Sequence, residues 1–164
     1  MKNKFKLFVN ILLALIIFSA CSSVKNTTQT ASKNDVQGTW LLNNVTYESA
    51  ANERVKINLF DDADITCFSS SNWVLPHNGY GSYTITQNGA GCNPGQRNII
   101  WSLENDNGQS VFQFKKLTEG EKAKNISEGY KLKIVSATND NLSMQSQIDI
   151  AGGTLLLTYN FTRQ

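Results

Sequence analysis

The chain has 164 residues, of which 40% are hydrophobic and 17% charged, a length and composition that suit one globular domain rather than several. Its net charge of +2 comes from 15 basic and 13 acidic side chains, and Lys2, Lys4 and Lys6 stand close to its start. Without those three lysines the formal charge is −1, which excludes the basic footprint of a nucleic-acid binder or of a protein held to an anionic membrane by charge.

Behind the three lysines runs an apolar stretch of about 12 residues, 7–18. A helix that crosses a bilayer needs roughly 20 apolar residues. A secretory signal needs about 7–15, after a positive start and before small residues. The stretch therefore predicts a cleaved signal over 1–20 rather than an uncleaved membrane anchor. Phe18-Ser19-Ala20-Cys21 resembles the bacterial lipobox, with Phe18 where Leu is usual. The resemblance implies that Cys21 becomes the N-terminus and carries acyl chains such as palmitate. Each buried methylene contributes about 0.8 kcal/mol, and two or more chains anchor stably. The expected address is the bacterial cell envelope, lipid-anchored at the outer membrane, with the domain in the periplasm or at the cell surface. No acidic run follows Cys21, which favours the periplasmic side.

Residues 22–34, SSVKNTTQTASKN, are almost all small or polar. They predict a flexible tether over 21–35 ahead of one domain over 36–164. In that domain no stretch holds a helical period, whereas alternation of period two recurs. Eight strands are expected, at 38–47, 71–76, 80–86, 97–104, 109–117, 129–137, 140–149 and 153–163. One apolar stripe gathers Phe112, Phe114, Leu132, Ile134, Leu142, Met144, Leu155, Leu157 and Tyr159. Asp106-Asn107-Gly108, Asn139-Asp140-Asn141 and Ala151-Gly152-Gly153 are hairpin turns by composition. The connection 48–70 is long. It holds VKINLF at 55–60, which reads as a short extra strand, and Asp61-Asp62-Ala63-Asp64, a helix start by composition. Eight strands with short turns predict an all-β, antiparallel up-and-down barrel, because closure removes both edges. A two-sheet sandwich is the competing arrangement.

Cys67 and Cys92 remain after Cys21. In an oxidising compartment an even pair reads first as a disulfide, with two buried thiols as the alternative. The loop closed would be about 26 residues, worth roughly 3 kcal/mol.

Gly38-Thr39-Trp40 opens the first strand and Arg163 ends the last. Together they resemble the lipocalin superfamily, in which such a Trp plugs one end of the barrel beneath such an Arg. A guanidinium on an indole ring contributes about 0.5–2 kcal/mol. A closer resemblance extends over 38–163. Cys67-Phe68-Ser69-Ser70-Ser71-Asn72-Trp73, Asn78-Gly79-Tyr80-Gly81-Ser82-Tyr83-Thr84-Ile85, Cys92, Arg97-Asn98-Ile99-Ile100-Trp101 and Phe112-Gln113-Phe114-Lys115 are similar to the lipocalin-like lipoproteins of the Bacteroidetes. The resemblance implies a lipocalin-like barrel, barrel closure by Gly38, Trp40 and Arg163, and a lid over the open end at 48–70.

The expected function is binding of a small hydrophobic ligand inside the barrel, by Trp73, Phe112, Phe114, Leu132, Ile134, Met144, Leu157 and Tyr159. The same side chains could instead simply fill it, since eight strands enclose just enough room for either. The alternative function is an envelope interaction or inhibitor protein that acts through loops 68–73 and 88–96. The expected partners are the membrane and one small ligand, with the chain a monomer. Asp61, Asp62 and Asp64 read as a solvated acidic loop rather than a Ca²⁺ site, lacking the glycine and distal glutamate of an EF-hand. His77 is the only histidine and reads as a turn residue. No nucleophile, metal-ligand set or acid–base pair is visible, so neither an enzyme nor a cofactor is expected.

Overall fold

Alternation puts one face of every strand among apolar side chains and the other in water, and a sheet so patterned hides its inner face by curling on itself. A computed structural model describes residues 30–48, 56–118, 120, 122–127, 129–150 and 153–164. The expected signal, Cys21 and the tether as far as residue 29 lie outside these. The eight expected strands are all present, as β1 (Gly38–Glu48), β4 (Ser71–Leu75), β5 (Tyr80–Ile85), β6 (Gly95–Asp106), β7 (Gln109–Leu117), β8 (Tyr130–Ala137), β9 (Asn141–Ile150) and β10 (Gly153–Arg163). Two short strands, β2 (Asn58–Leu59) and β3 (Ala63–Asp64), pair within the long connection. The ring runs β1-β10-β9-β8-β7-β6-β5-β4 and closes where β1 pairs with β4. Every pairing in it is antiparallel. A closed ring rules out the two-sheet sandwich.

The register places the apolar stripe inward. Phe112 faces Leu132, Ile134 faces Met144 and Tyr159 faces Met144 across successive pairs. Register shifts between Leu42 and Asn44 and between Ile134 and Ser136 supply the local bends that a small barrel needs. The β6–β7 turn is Asn107-Gly108, both at positive φ (52° and 88°), the conformation that Asn-Gly adopts most readily in a hairpin.

Both ends of the barrel are covered. Residues 30–36, of which the sequence assigns 30–35 to the tether, run across the base. The Ala31 amide donates to Ser110 Oγ at 2.8 Å, Ser110 Oγ donates back to the Ala31 carbonyl at 3.0 Å, and Thr30 Oγ1 donates to the Gly108 carbonyl. A single helical turn, α1 (Lys33–Val36), follows. The Ser32 amide and hydroxyl both donate to Asp35 Oδ2 at 2.7 Å, and Val36 is fully buried. The polar composition read as tether hides this docking because most of it is made by backbone groups and one serine. The opposite end carries the long β1–β4 connection. There Ile57, Leu59, Phe60 and Ala63 turn into the core, followed by a 3-10 turn, Ile65–Phe68.

Candidate functional site

At the base, Arg163 and Trp40 are directly opposed in the β1–β10 register. The guanidinium carbon sits 4.1 Å from the indole centre. Trp40 is fully buried and its Nε1 donates to the Val36 carbonyl at 2.8 Å. Arg163 donates to the carbonyls of Asn139, Gln37 and Asp35, so one side chain ties β10, the β8–β9 turn and α1 together. Gly38 has φ +137°, and a Cβ there would collide with Arg163 Nη1. His77 sits at this end, 3.0 Å from Gln37 Oε1. Trp101, also at the base, is stacked on Phe112 with Lys33 Nζ 5.1 Å from its ring.

The eight residues read from sequence as ligand-binding all point into the barrel. Trp73, Phe112, Phe114, Leu132, Ile134, Met144, Leu157 and Tyr159 are each no more than 2% exposed. They meet there with Tyr83, Phe68 and Phe161, so the interior is occupied by packed rings. Polar groups among them are paired, but Trp101 Nε1, beside Phe112, is buried without a partner among the described residues. Tyr159 OH lies 3.0 Å from Ser146 Oγ, and Trp73 Nε1 donates to Ser71 Oγ at 3.1 Å. Burial pushes the Tyr159 phenol up to about 12. Tyr83 is raised further, by burial first and then by its hydrogen bond to Asp62.

The lid end is built differently. The β2–β3 turn, held by the Asp62 amide donating to the Leu59 carbonyl at 3.0 Å, drives Phe60 down into the mouth. Its ring lies 5.0 Å from Phe114, 5.2 Å from Tyr130, 5.4 Å from Phe68, 5.7 Å from Tyr159 and 6.1 Å from Trp73. Phe60 and the next residue both adopt left-handed backbone, with φ 54° and 46°. That conformation costs a bulky residue about 1–3 kcal/mol, and burying the ring offsets it.

Polar contacts fix the turn from both sides. Lys116 Nζ and Tyr130 OH point at the Phe60 carbonyl oxygen at 2.6 and 2.8 Å. Tyr130 OH is also 3.0 Å from Asp61 Oδ2. On the other side Arg97 grips Asp62 with two N–H groups at 2.9 and 3.0 Å, and Tyr83 OH donates to the same carboxylate at 2.7 Å. The acidic stretch is solvated at Asp61, as expected, but each of its carboxylates also has a hydrogen-bond partner. Asp64 caps the 3-10 turn by accepting from the Thr66 amide and hydroxyl, which lowers its pKa. The helix start expected at 61–64 is instead the β2–β3 turn and β3, and the 3-10 turn begins one residue later, at Ile65. Cys67 in that turn is disulfide-bonded to Cys92 in the β5–β6 loop, which staples the lid to its neighbour.

Of this mouth the sequence reading assigned Trp73, Phe114 and Tyr159, and missed Phe60, Lys116 and the Asp62–Arg97 pair. Lys116 was findable, because period two puts it on the same face as Phe112 and Phe114. Surface grooves lie elsewhere among the described residues, two of them on the flanks of the barrel. One of 490 Å³ crosses the outside of β6–β8 and includes Ile100, Gln113, Lys115 and Lys131. The other, of 650 Å³, lies between β1 and the lid, beside Val45, Tyr47 and Thr66. No protein-family model matches the chain, and neither a curated protein nor a solved structure shows significant similarity to it.

Proposed function

We propose that the chain is a lipid-anchored envelope protein, of the lipocalin-like lipoprotein kind, whose barrel binds one small hydrophobic ligand at the lid end. The observation that carries this reading is the mouth. A strained turn there presses a single aromatic side chain into an aromatic interior, where a Gly or Asn would make the turn at less cost. Anchoring is supported by the lipobox-like Phe18-Ser19-Ala20-Cys21. The docked segment 30–36 supports an orientation too. It leaves the barrel at the base, beside Gly108, so an anchor on Cys21 would hold the base towards the membrane and turn the lid away from it. The eight residues 22–29 reach at most about 28 Å.

Of the two loops of the alternative, 88–96 is largely exposed and stays open to a partner, whereas partner binding through 68–73 is disfavoured by burial. Its aromatics, Phe68 and Trp73, are 0% and 2% exposed and face the interior, where no partner protein reaches.

Two measurements test the reading. Titration of the purified chain with the apolar dye N-phenyl-1-naphthylamine should give saturable fluorescence at one site per chain. A Trp73→Ala variant that remains folded should weaken it at least tenfold. A linear, non-saturating response would contradict ligand binding. Mass spectrometry of the chain from bacterial membranes should find an acylated Cys21 as the first residue, and an intact, unmodified Met1 would contradict the anchor.

A further inference from the structure

Phe60 brings into the mouth more than a ring. Between ring and carbonyl carbon lie two carbons, Cβ and Cα, which is the skeleton of 3-phenylpropionate. The ring is enclosed by Phe68, Trp73, Phe114, Tyr130 and Tyr159. Its carbonyl oxygen accepts from the Lys116 ammonium and lies within hydrogen-bond reach of the Tyr130 phenol, whose one proton it shares with Asp61 Oδ2. A peptide oxygen has two lone pairs and can accept both, but a convergent Lys and Tyr also match an anion, to which such hydrogen bonds are stronger. Among the described residues, no carboxylate lies within ion-pair distance of Lys116. Lys116 also donates to the neutral carbonyl of Asp61 at 3.0 Å. Two successive residues in left-handed backbone hold this corner in place, and strain of that kind is stored where a site needs it.

We infer that the Phe60–Asp61 corner stands in for the ligand, and that the barrel takes aromatic carboxylates, with the ring where Phe60 sits and the carboxylate received by Lys116 Nζ and Tyr130 OH. This rests on the proposal that the barrel is a ligand site, and adds the chemical class. Binding exchanges the internal ring and carbonyl for an external ring and carboxylate. Ring replaces ring, so what favours the ligand is mainly its negative charge beside the Lys116 ammonium. Lifting the corner out also requires release of Asp62 from Arg97 and Tyr83.

The experiment is calorimetric titration of the purified full chain with 3-phenylpropionate and with its neutral isostere 3-phenylpropanamide. Phe60→Gly removes the competing ring while keeping a residue that accepts φ 54°. It should bind the carboxylate at least tenfold more tightly than the wild type does, and at least tenfold more tightly than it binds the amide. Adding Lys116→Met should abolish that preference. Equal binding of acid and amide, or a preference that survives Lys116→Met, would overturn the carboxylate class and leave the apolar site standing. Failure of both compounds and of N-phenyl-1-naphthylamine to bind would remove the class and the site together. If Phe60→Gly does not fold, wild type and Lys116→Met are compared with the same two compounds. A preference for the acid that Lys116→Met erases supports the inference, and no preference or no binding overturns it.

Discussion

Single residues decide how each end of the barrel is held. At the base Arg163 combines a stacked indole with three carbonyl partners. Arg163→Met keeps much of the packing and removes the charge and the donors. It should lower unfolding free energy by about 3 kcal/mol in urea denaturation, and a change under about 0.5 kcal/mol, the scale of an ordinary surface substitution, would show that the stack is ornamental. At the lid Asp62 is 13% and Arg97 16% exposed, so this pair is shielded more than a surface ion pair. Removing one partner of a buried pair strands the other. Because these two keep some contact with water, Asp62→Asn should cost about 2 kcal/mol, and the double variant Asp62→Asn with Arg97→Met should cost less than the sum of the two single changes. Little of this was legible in the sequence. Arg97 and Asp62 are 35 positions apart, and nothing local links them. Phe60 follows Leu59 in an apolar run that reads as strand. A left-handed Phe is not written in the residue type, because its cost is met by contacts made only after the barrel closes.

The secondary elements were more legible, because a strand's signal is local. Period two in 109–117 and 153–163 needs no distant partner, and Asn107-Gly108 marks its hairpin by residue type alone. β2 lies within 55–60, which reads as a short extra strand, whereas β3 is too short for any period to register, and α1 is one turn, stabilised by Asp35 and Ser32 rather than by an apolar face. These capped turns are sensitive to acid. The hydrogen bonds from Ser32 lower the pKa of Asp35, and those from Thr66 lower that of Asp64, each from an ordinary 3.8. A depressed carboxylate contributes stability that is fully present above its unfolded value and lost as pH falls through the folded one. The loss therefore falls below pH 3.8. Both groups are largely in contact with solvent, so the effect is small. Asp64→Asn should lower the urea midpoint slightly at neutrality and flatten its fall below that pH, so that variant and wild type converge in acid. The disulfide joins two elements the sequence did pair, and Cys67→Ser with Cys92→Ser should cost about 2–4 kcal/mol. An unchanged midpoint would mean that the lid is held by Phe60 and Asp62 alone.

At the scale of the whole molecule, the barrel is a ring of strands with two unlike closures: a base locked by Trp40, Arg163 and the docked chain 30–36, and a mouth stoppered by a strained aromatic turn. The architecture was legible from strand count and turn chemistry. Whether the interior was full or hollow was not, because that depends on where ring volumes meet across the barrel. Its packing predicts a late alkaline transition. Tyr83 and Tyr159 are held neutral by burial, Tyr159 up to about 12 against an ordinary 10.0. The stability they confer is complete below pH 10.0 and falls as pH rises through the folded values. Tyrosinate absorbance in the near ultraviolet should show two phenols ionising together with unfolding, and their titration in a still-folded chain would contradict the packing.

The central claim is that this mouth belongs to a ligand site, and native mass spectrometry of the chain purified from its own membranes tests it most directly. The account predicts a one-to-one complex with a small apolar molecule that is released on unfolding, and its loss when Trp73 is replaced by Ala. Only the mass of the acylated chain, with no bound molecule and none acquired from envelope extracts, would contradict it.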